Sequence, residues 1–369
     1  MGSVDAYLVG PYICAPLRGL GPCSCQGTAR STASGNASHE LKVGSWTSRS
    51  EMGNGLMSLI GDDDDEPTSG ISGVANIPVS WGVVEDQASG QGPDSDQYLD
   101  ELTEAEYTGT ELGNFGFLPV DGEELRGKLL DRDLAMVGAF VGLHLSNTDY
   151  GLEDEHHAVE IARLLSEVGG EDPILILSDD PCLDASRTAF AGQVLPEMAM
   201  PEAQWEYAAE MLDSISLMVF EELGIRSAFH SHCATFVETP EELDILMAYT
   251  HPHVLGLCLD TAHYVFGGGD PLRLVERYRE RVWHVHMKGF DPVVAGEARE
   301  RGWDYHESVE RGVFCELGRS AIDHQGILAE LDEVGYAGWI TVEQDVHAGM
   351  GNPLECAKRN REFLKGLGI

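Results

Sequence analysis

Lysine is scarce in this sequence of 369 residues, and the positions that carry it are Lys42, Lys128, Lys288, Lys358 and Lys365. Lysine and arginine together number 23, against 63 aspartates and glutamates, so the formal net charge at pH 7 is −40. Such an acidic surface repels phosphate backbones and anionic lipids. The charge therefore argues against nucleic-acid and membrane partners, and it is also typical of a solvated surface adapted to high salt.

Long apolar runs are missing as well. No stretch of about 18 apolar residues occurs, and the segment 1–17 contains no lysine or arginine and is interrupted by Pro11 and Pro16. We therefore expect neither a membrane span nor a normal secretory signal. The eight cysteines form no CxxC pair, and we expect them to be reduced, in a cytoplasmic protein.

Residues 1–72 differ in composition from the rest of the chain. They are rich in Gly, Ser and Thr, show no sustained apolar periodicity, and contain the acidic run of residues 62–66 followed by Pro67. Such a segment lacks the apolar surface needed to pack. We expect it to be a disordered N-terminal extension, or the result of a start codon assigned too far upstream with Met57 as an internal candidate. We assign residues 73–369 to the folded domain.

From residue 74 onward, short apolar runs alternate with amphipathic stretches, which is typical of repeated βα units. The strand candidates are Val74–Ile77, Thr108–Leu112, Leu134–His144, Ile174–Ser178, Ser227–His232, Leu255–Asp260, Val282–Lys288 and Trp339–Gln344. The helix candidates include Asp154–Val168, Ala203–Leu223, Pro240–Tyr249, Pro271–Tyr278, Gln325–Val334 and Pro353–Leu367. Eight such units predict an α/β fold, a (β/α)₈ TIM barrel. A doubly wound open sheet is the alternative, but no glycine-rich phosphate loop follows the first strand.

The carboxyl ends of the predicted strands are unusually polar, and in a TIM barrel these ends supply the catalytic groups. Because side chains alternate along a strand, His230 and His232 share one face of the fifth strand. For the same reason His284, His286 and Lys288 share one face of the seventh. We expect both faces to point into the barrel. The residues expected to pack against the helices instead are Phe229, Val285 and Met287.

Carboxylates end the sixth and eighth strands, at Asp260 and Glu343. A lone histidine in an apolar strand is usually a hydrogen-bonded core residue, but several imidazoles with two carboxylates are costly to bury unless a metal ion or substrate satisfies them. This ligand chemistry suits Mn²⁺, Co²⁺, Fe²⁺, Mg²⁺ or Zn²⁺, whereas Cys258 lies too deep on its strand to be a favoured ligand. We therefore expect a divalent metal ion.

These motifs resemble those of the xylose isomerase-like TIM barrels, the sugar isomerase and epimerase superfamily. The resemblance rests on Asp260-Thr261-Ala262-His263 after the sixth strand, His284-Val285-His286-Met287-Lys288 on the seventh and Glu343-Gln344-Asp345 on the eighth. Within that superfamily the chain is similar to the myo-inosose (2-keto-myo-inositol) dehydratases. The stretches that carry this similarity are residues 75–82, 111–119, 229–239, 267–271 and 352–355.

The resemblance implies a metal site built from His230, Asp260, His286 and Glu343, with Mn²⁺ or Co²⁺ favoured. In the related epimerases the ligand from the fifth strand is a glutamate, whereas this chain has His230. Epimerases commonly use two carboxylate bases on opposite faces of the substrate carbon, so a site with Glu343 as the one such base fits an elimination better. The resemblance thus implies a metal-dependent lyase that dehydrates an inosose or related keto-polyol. The alternative is a metal-dependent sugar isomerase or epimerase that acts on a ketose or aldose.

In the expected dehydration, the metal ion stabilises an enediolate when a base removes the proton beside the ketone, and an acid protonates the departing hydroxyl. Glu343, His263 and His232 are the candidate proton carriers, and the residues alone do not assign base and acid. Lys288 is expected to stabilise the enediolate or to orient the ketone.

Trp81 comes after the first strand, and Glu111 and His144 stand at the ends of the second and third. We expect these residues to form the polyol pocket through hydrogen bonds and stacking, with pocket-wall or core packing as the alternative for each. Two other functions are less compatible with the sequence. A phosphodiesterase acting on damaged DNA would need more metal ligands and a less acidic surface. A non-catalytic barrel would not need Asp260, His286 and Glu343 at its strand ends. The expected partner is a small polyol or sugar, and a homo-oligomer is compatible with the sequence.

Overall fold

The computed structural model describes residues 70–83, 92–345 and 351–369. The expected disordered extension over residues 1–72 lies outside the described residues except for its last three. Within the part of the chain that the structure describes, no helix combines the length and apolarity needed to cross a membrane.

The centre of the molecule is a closed barrel of eight parallel strands. The described strands are β1 (Gly73–Asn76), β2 (Gly109–Glu111), β3 (Ala135–Leu143), β4 (Gly169–Asp179), β5 (Arg226–His230), β6 (Leu255–Asp260), β7 (Val282–Met287), β8 (Gly289–Phe290), β9 (Phe314–Cys315) and β10 (Trp339–Val342). Strands β1 to β7 follow one another around the barrel, and β10 pairs with both β7 and β1 to close it. Strands β8 and β9 form a separate antiparallel ribbon. The predicted TIM barrel is confirmed.

Helices alternate with the barrel strands. The described α-helices are α1 (Ser95–Glu104), α2 (Gly122–Leu130), α3 (Gly151–Val168), α4 (Ala185–Ala189), α5 (Glu202–Leu223), α6 (Pro240–Tyr249), α7 (Thr261–Phe266), α8 (Pro271–Tyr278), α9 (Pro292–Arg301), α10 (Tyr305–Glu310), α11 (His324–Glu333) and α12 (Pro353–Gly366). The six helices predicted from sequence are α3, α5, α6, α8, α11 and α12, each displaced by no more than one turn.

Local sequence explains where these helices begin. Thr239 and Glu242 form a reciprocal capping box at the start of α6, with Pro240 in the first position. Asp270 and Asn352 accept hydrogen bonds from backbone N–H groups in the first turns of α8 and α12, which also start with proline. These side chains satisfy N–H groups that have no partner within the helix, so each boundary is set by a few neighbouring residues.

Alternation along the strands separates the core from the barrel interior. Phe229, Val285 and Met287 are buried in the large apolar cluster that includes the helices, as predicted. Cys258 belongs instead to a small cluster of inward-facing residues. It precedes Asp260 by two positions, so it lies one layer deeper in the barrel, below the polar strand ends.

Two strand ends differ from the sequence-based prediction. β5 ends at His230 and β7 ends at Met287, so His232 and Lys288 lie just past their strands. Between β7 and β10 the chain carries an insertion of the ribbon, α9 and α10, and its residues Phe290 and Phe314 pack with Phe266 of α7 in a second apolar cluster. This insertion places α10 at the carboxyl end of the barrel, beside the polar residues.

Candidate metal centre and cavity

Four side chains meet at the carboxyl end of the barrel. His230, Asp260, His286 and Glu343 each offer one nitrogen or oxygen, and these atoms all lie within 4.8 Å of one another. They come from the ends of β5, β6 and β7 and from the position after β10. All four side chains are buried. The structure therefore brings together the residues that the resemblance implied as ligands, a mixed imidazole and carboxylate set suited to a hard or borderline divalent cation.

The two carboxylate oxygens of Asp260 have different surroundings. Its Oδ1 atom accepts hydrogen bonds from the backbone N–H groups of Ala262 and His263 and thereby caps α7. Its Oδ2 atom is buried and has no hydrogen-bond partner among the described residues. Oδ2 lies 3.6 Å from Nε2 of His230. An anionic oxygen buried without a donor is costly, so this atom fits a cation at the centre of the cluster.

His286 provides a second hydrogen-bond acceptor in the four-residue cluster. Its Nε2 atom lies 2.9 Å from Oε1 of Glu111, a carboxylate that can only accept, so Nε2 carries the proton. In the neutral ring Nδ1 then holds a lone pair, and Nδ1 has no hydrogen-bond partner among the described residues. Oε2 of Glu343 lies 2.9 Å from Nδ1. A lone pair and a carboxylate oxygen at this distance repel each other unless a proton or a metal cation lies beside them, and the imidazole and carboxylate donors fit a divalent metal ion.

Lys288 adds a fixed positive charge next to this cluster. Its Nζ atom lies 2.6 Å from Oε1 of Glu343 and 3.1 Å from Oδ2 of Asp345. Burial by itself would lower the pKa of the Lys288 ammonium, but Asp345, Glu343 and Asp260 raise this pKa above its ordinary value. Despite its own burial, Glu343 has a pKa well below its usual range, chiefly because of Lys288. Glu343 is thus held as a carboxylate, with Oε1 on Lys288 and Oε2 facing His286.

The two other histidines expected as proton carriers occupy different places. His232 lines the cavity described below, and its Nδ1 atom lies 2.7 Å from the carbonyl oxygen of Cys233. Burial, His230 and Lys288 lower the pKa of His232 to about 3. His263 is fully buried, with Nε2 at 2.9 Å from Nζ of Lys288 and its ring centroid 3.8 Å from that of His232. His263 is not among the described cavity-lining residues, and its described contacts include Lys288 and His232.

A cavity of about 480 Å³ opens above the four clustered side chains. Its described lining residues include His230, His232, His286, Glu343 and Asp345 from the strand ends, and Asn114, Asp180, Tyr305, His306 and Glu310 from the surrounding loops and α10. Cavities of this size bind small metabolites. The polar side chains of the lining suit the hydroxyl groups of a ligand, and apolar residues such as Phe140 and Val309 form the rest of the wall.

Trp81, Glu111 and His144 do not belong to the described lining of this cavity, in contrast to the sequence-based expectation. Trp81 is buried, and its Nε1 donates to Glu101 of α1 at 2.8 Å. His144 stacks on Tyr150, and its Nδ1 lies 2.9 Å from a carboxylate oxygen of Asp154.

Glu111 faces the barrel interior from β2 but lies below the site, against His284 and His286. The strand ends predicted which way Glu111 points, but they did not reveal its depth in the barrel. For Trp81 and His144, contacts with neighbouring helices decide the orientation, and strand patterning does not report those contacts.

Several lining residues were not selected from sequence, among them Asp345, Asp180 and Tyr305. Asp345 lies two positions beyond Glu343, and this i, i+2 spacing was a usable signal for a second inward carboxylate. Asp180 follows β4, which extends to Asp179, one residue past the predicted strand end. Tyr305 begins α10 in the insertion, far from any barrel strand in sequence, and no local pattern indicates that it reaches the site.

Comparison with known proteins agrees with this fold. The family model described as xylose isomerase-like TIM barrel matches residues 99–367. The chain is 31% identical over 292 residues to an inosose dehydratase of Geobacillus kaustophilus (strain HTA426), which covers 79% of this chain and 92% of that protein. It is 32% identical over 297 residues to the rhizopine catabolism protein MocC of Rhizobium meliloti, covering 79% and 87%.

Solved structures show the same fold at lower identity. The IolI protein with a bound zinc atom superposes with a TM-score of 0.58 at 14% identity, over 80% of this chain and 98% of that one. An L-ribulose 3-epimerase gives a TM-score of 0.57 at 18% identity, over 81% and 94%. The resemblance inferred from sequence is confirmed: the chain is an enzyme and belongs to the xylose isomerase-like TIM barrel family.

Proposed function

We propose that the protein is a metal-dependent hydro-lyase that removes water from an inosose or a closely related keto-polyol. The observation that carries the proposal is a cluster of His230, Asp260, His286 and Glu343 in a chain that aligns with 92% of a protein named inosose dehydratase. The cluster supports the proposed metal site. The similarity, which extends along nearly the whole relative, supports the proposed class of reaction.

The four clustered residues would hold the metal ion, with Asp260 contributing Oδ2, His286 contributing Nδ1 and Glu343 contributing Oε2. A divalent metal ion bound there supplies Lewis-acid chemistry, which makes the hydrogen on the carbon beside a ketone more acidic. Mn²⁺ and Co²⁺ are the ions we favour, because they accept both imidazole and carboxylate ligands. Cys258 lies one layer deeper, and burial raises the pKa of its thiol to about 11, which disfavours the thiolate form that metals bind.

Elimination of water needs one group that accepts a proton and one that returns a proton to the departing hydroxyl. We assign this proton transfer to His232 and Asp345, which line the cavity and lie outside the four-residue cluster. Neither holds a transferable proton at rest, so the proton that one of them takes from the carbon is the proton that leaves with the hydroxyl as water. The carbonyl of Cys233 can only accept, so Nδ1 of His232 carries the proton and Nε2 holds the lone pair of the neutral ring. Glu343 is less suited to proton transfer, because Lys288 engages its Oε1 atom and the proposed metal ion would engage Oε2.

Lys288 acts as a buried counter-charge in this proposal. It contacts Glu343 and Asp345 at the same time, so it keeps two neighbouring carboxylates at fixed positions despite their mutual repulsion. Its ammonium is fully buried and does not belong to the described cavity lining. Lys288 therefore positions groups that meet the substrate.

The test is incubation of the metal-loaded protein with a panel of keto-inositols and linear ketoses, followed by mass spectrometry of the products. We expect loss of one water molecule from a keto-inositol and formation of a product that absorbs in the ultraviolet. A product of unchanged mass would contradict the dehydratase proposal and would indicate the isomerase or epimerase alternative. Protein treated with EDTA and the Asp260→Asn variant serve as inactive controls.

A further inference from the structure

Glu111 connects the two histidines of β7 from the opposite side of the barrel. Its Oε1 atom lies 2.7 Å from Nε2 of His284 and 2.9 Å from Nε2 of His286. All three residues are at most 1% exposed. The proposed reaction gives none of these contacts a role, although a buried carboxylate between two imidazoles is costly unless the hydrogen bonds are kept.

The shared oxygen fixes the proton on each ring. A carboxylate accepts but does not donate, so both Nε2 atoms must carry hydrogen, and in each neutral ring the lone pair lies on Nδ1. For His286, Nδ1 is the atom that faces Oε2 of Glu343 at 2.9 Å. The contact with Glu111 therefore decides which nitrogen of His286 faces the clustered side chains, and it also restricts rotation of the ring.

His284 differs from His286 in what surrounds it. Its Nε2 atom faces Glu111 and lies 3.3 Å from Oγ1 of Thr341. His284 appears in a group of possible metal-ligating residues with Glu111 and His286, but not in the four-residue cluster. Of the two histidines in the His-x-His motif, His286 belongs to the four-residue cluster and His284 does not.

We infer that Glu111 is a positioning residue for the metal site, holding His286 as the Nε2–H tautomer so that Nδ1 binds the metal ion. His284 in turn holds Glu111 and is not itself a ligand. A hydrogen bond from the second nitrogen of a metal-bound histidine to a carboxylate orients the ring and makes the ligand more basic. This inference rests on the proposed metal centre.

The first test is titration of the metal-free full-length protein with Co²⁺, followed by its visible absorption. We expect Glu111→Gln to weaken Co²⁺ binding by about 10–100-fold, because the amide keeps the shape of the side chain but loses the charge that polarises His286. The matched control is Glu238→Gln, since Glu238 is also a buried glutamate but accepts hydrogen bonds from the backbone N–H groups of Gly192 and Ala234. This control should bind Co²⁺ as tightly as the wild type.

A second variant separates His284 from His286. In His284→Gln the side-chain amide can still donate to Glu111, so we expect Co²⁺ affinity to fall by less than tenfold, whereas His286→Gln should abolish binding. Loss of Co²⁺ binding in His284→Gln would make His284 a ligand and would overturn the inference. Equal affinity and an unchanged Co²⁺ spectrum in Glu111→Gln would also overturn it, while leaving the metal centre intact.

A third measurement applies even where a variant does not fold. In wild-type protein carrying ¹⁵N-labelled histidine and loaded with Zn²⁺, nitrogen chemical shifts identify the protonated atom of each ring. We expect His286 to carry hydrogen at Nε2, with Nδ1 shifted by the metal. The opposite tautomer would overturn the inference. Failure of the wild type to bind either Co²⁺ or Zn²⁺ would contradict the proposed metal centre, and the role of Glu111 with it.

Discussion

The Nζ atom of Lys288 lies 2.6 Å from Oε1 of Glu343, and the lysine side chain is fully buried. Most lysine–carboxylate pairs lie at the surface, where solvent screens them and they contribute little to stability. This pair lies at the carboxyl end of the barrel, and the same ammonium contacts Asp345. Removing one partner of such a group leaves buried charge without compensation.

We therefore expect Lys288→Met to lower the free energy of unfolding of the metal-free protein by about 3–5 kcal/mol. Urea denaturation of the metal-free protein measures this change. The matched control is Lys128→Met, because Lys128 pairs with Asp96 at 2.6 Å on the surface and its loss should cost far less. Equal destabilisation by the two substitutions would show that burial does not distinguish the pairs.

The Asp260→Asn variant should lose bound metal while the fold is retained. Asparagine keeps an oxygen that can cap α7, but it removes the negative charge from the buried carboxylate. Metal analysis after dialysis, with thermal unfolding measured in parallel, distinguishes the two effects. Asp270→Asn is the control, since Asp270 caps α8 in the same way without belonging to the cluster. Full metal occupancy in Asp260→Asn would exclude Asp260 as a ligand.

His232→Gln should retain metal and lose activity by about 10²–10⁴-fold, the usual cost of losing one general acid or base. The prediction follows from the position of His232 on the cavity wall, outside the four-residue cluster. Turnover and metal content are measured on the same preparation. His253→Gln, at an exposed position outside the described cavity lining, is the control. A fall in metal content equal to the fall in activity would instead place His232 among the ligands.

His263→Leu should also retain metal, with a loss of activity of about 10–100-fold, because His263 contacts Lys288 and lies outside the described cavity lining. His263→Gln should lose less activity, since the amide oxygen can accept a hydrogen bond from Lys288. Comparison of the two variants in turnover and metal content tests this order. If metal affinity falls together with activity in both, His263 is a ligand and the assignment of His230 must be revised.

Deletion of residues 1–69 should leave the melting temperature and the activity unchanged, because that segment lacks apolar periodicity. The deletion stops before Ser72, whose backbone N–H donates to the carbonyl of Gly338 and whose hydroxyl donates to that of Ala337. Differential scanning calorimetry of the shortened chain measures the outcome. A large fall in melting temperature would show that the segment belongs to the fold.

The sequence predicted the barrel because its pattern is local. Most described strands contain a short apolar run bounded by polar residues, and most described helices begin at a proline or a capping side chain, as at Thr239 and Asp270. Helix α3 is an exception, because it follows Tyr150 without either signal. Where the chain departs from the repeated βα pattern, the sequence did not predict the secondary structure or its position. The ribbon and α10 lie in an insertion between β7 and β10, and no periodicity in the sequence indicates that Tyr305 reaches the cavity.

The sequence by itself determined which residue types stand at the strand ends, and therefore that His230, Asp260, His286 and Glu343 share one end of the barrel. The reason is that alternation along parallel strands fixes both the face and the end on which a side chain lies.

Tertiary structure alone decided depth and pairing. Glu111 lies deeper in the barrel than the cavity and contacts His286. Lys288 contacts carboxylates and is outside the described cavity lining, and His263 contacts Lys288. Barrel closure joins β1 to β10 and so sets the distances between residues far apart in sequence, such as Glu111 and His286. Those distances determine which oxygen and nitrogen atoms form hydrogen bonds within the protein and which can bind a metal ion or a substrate.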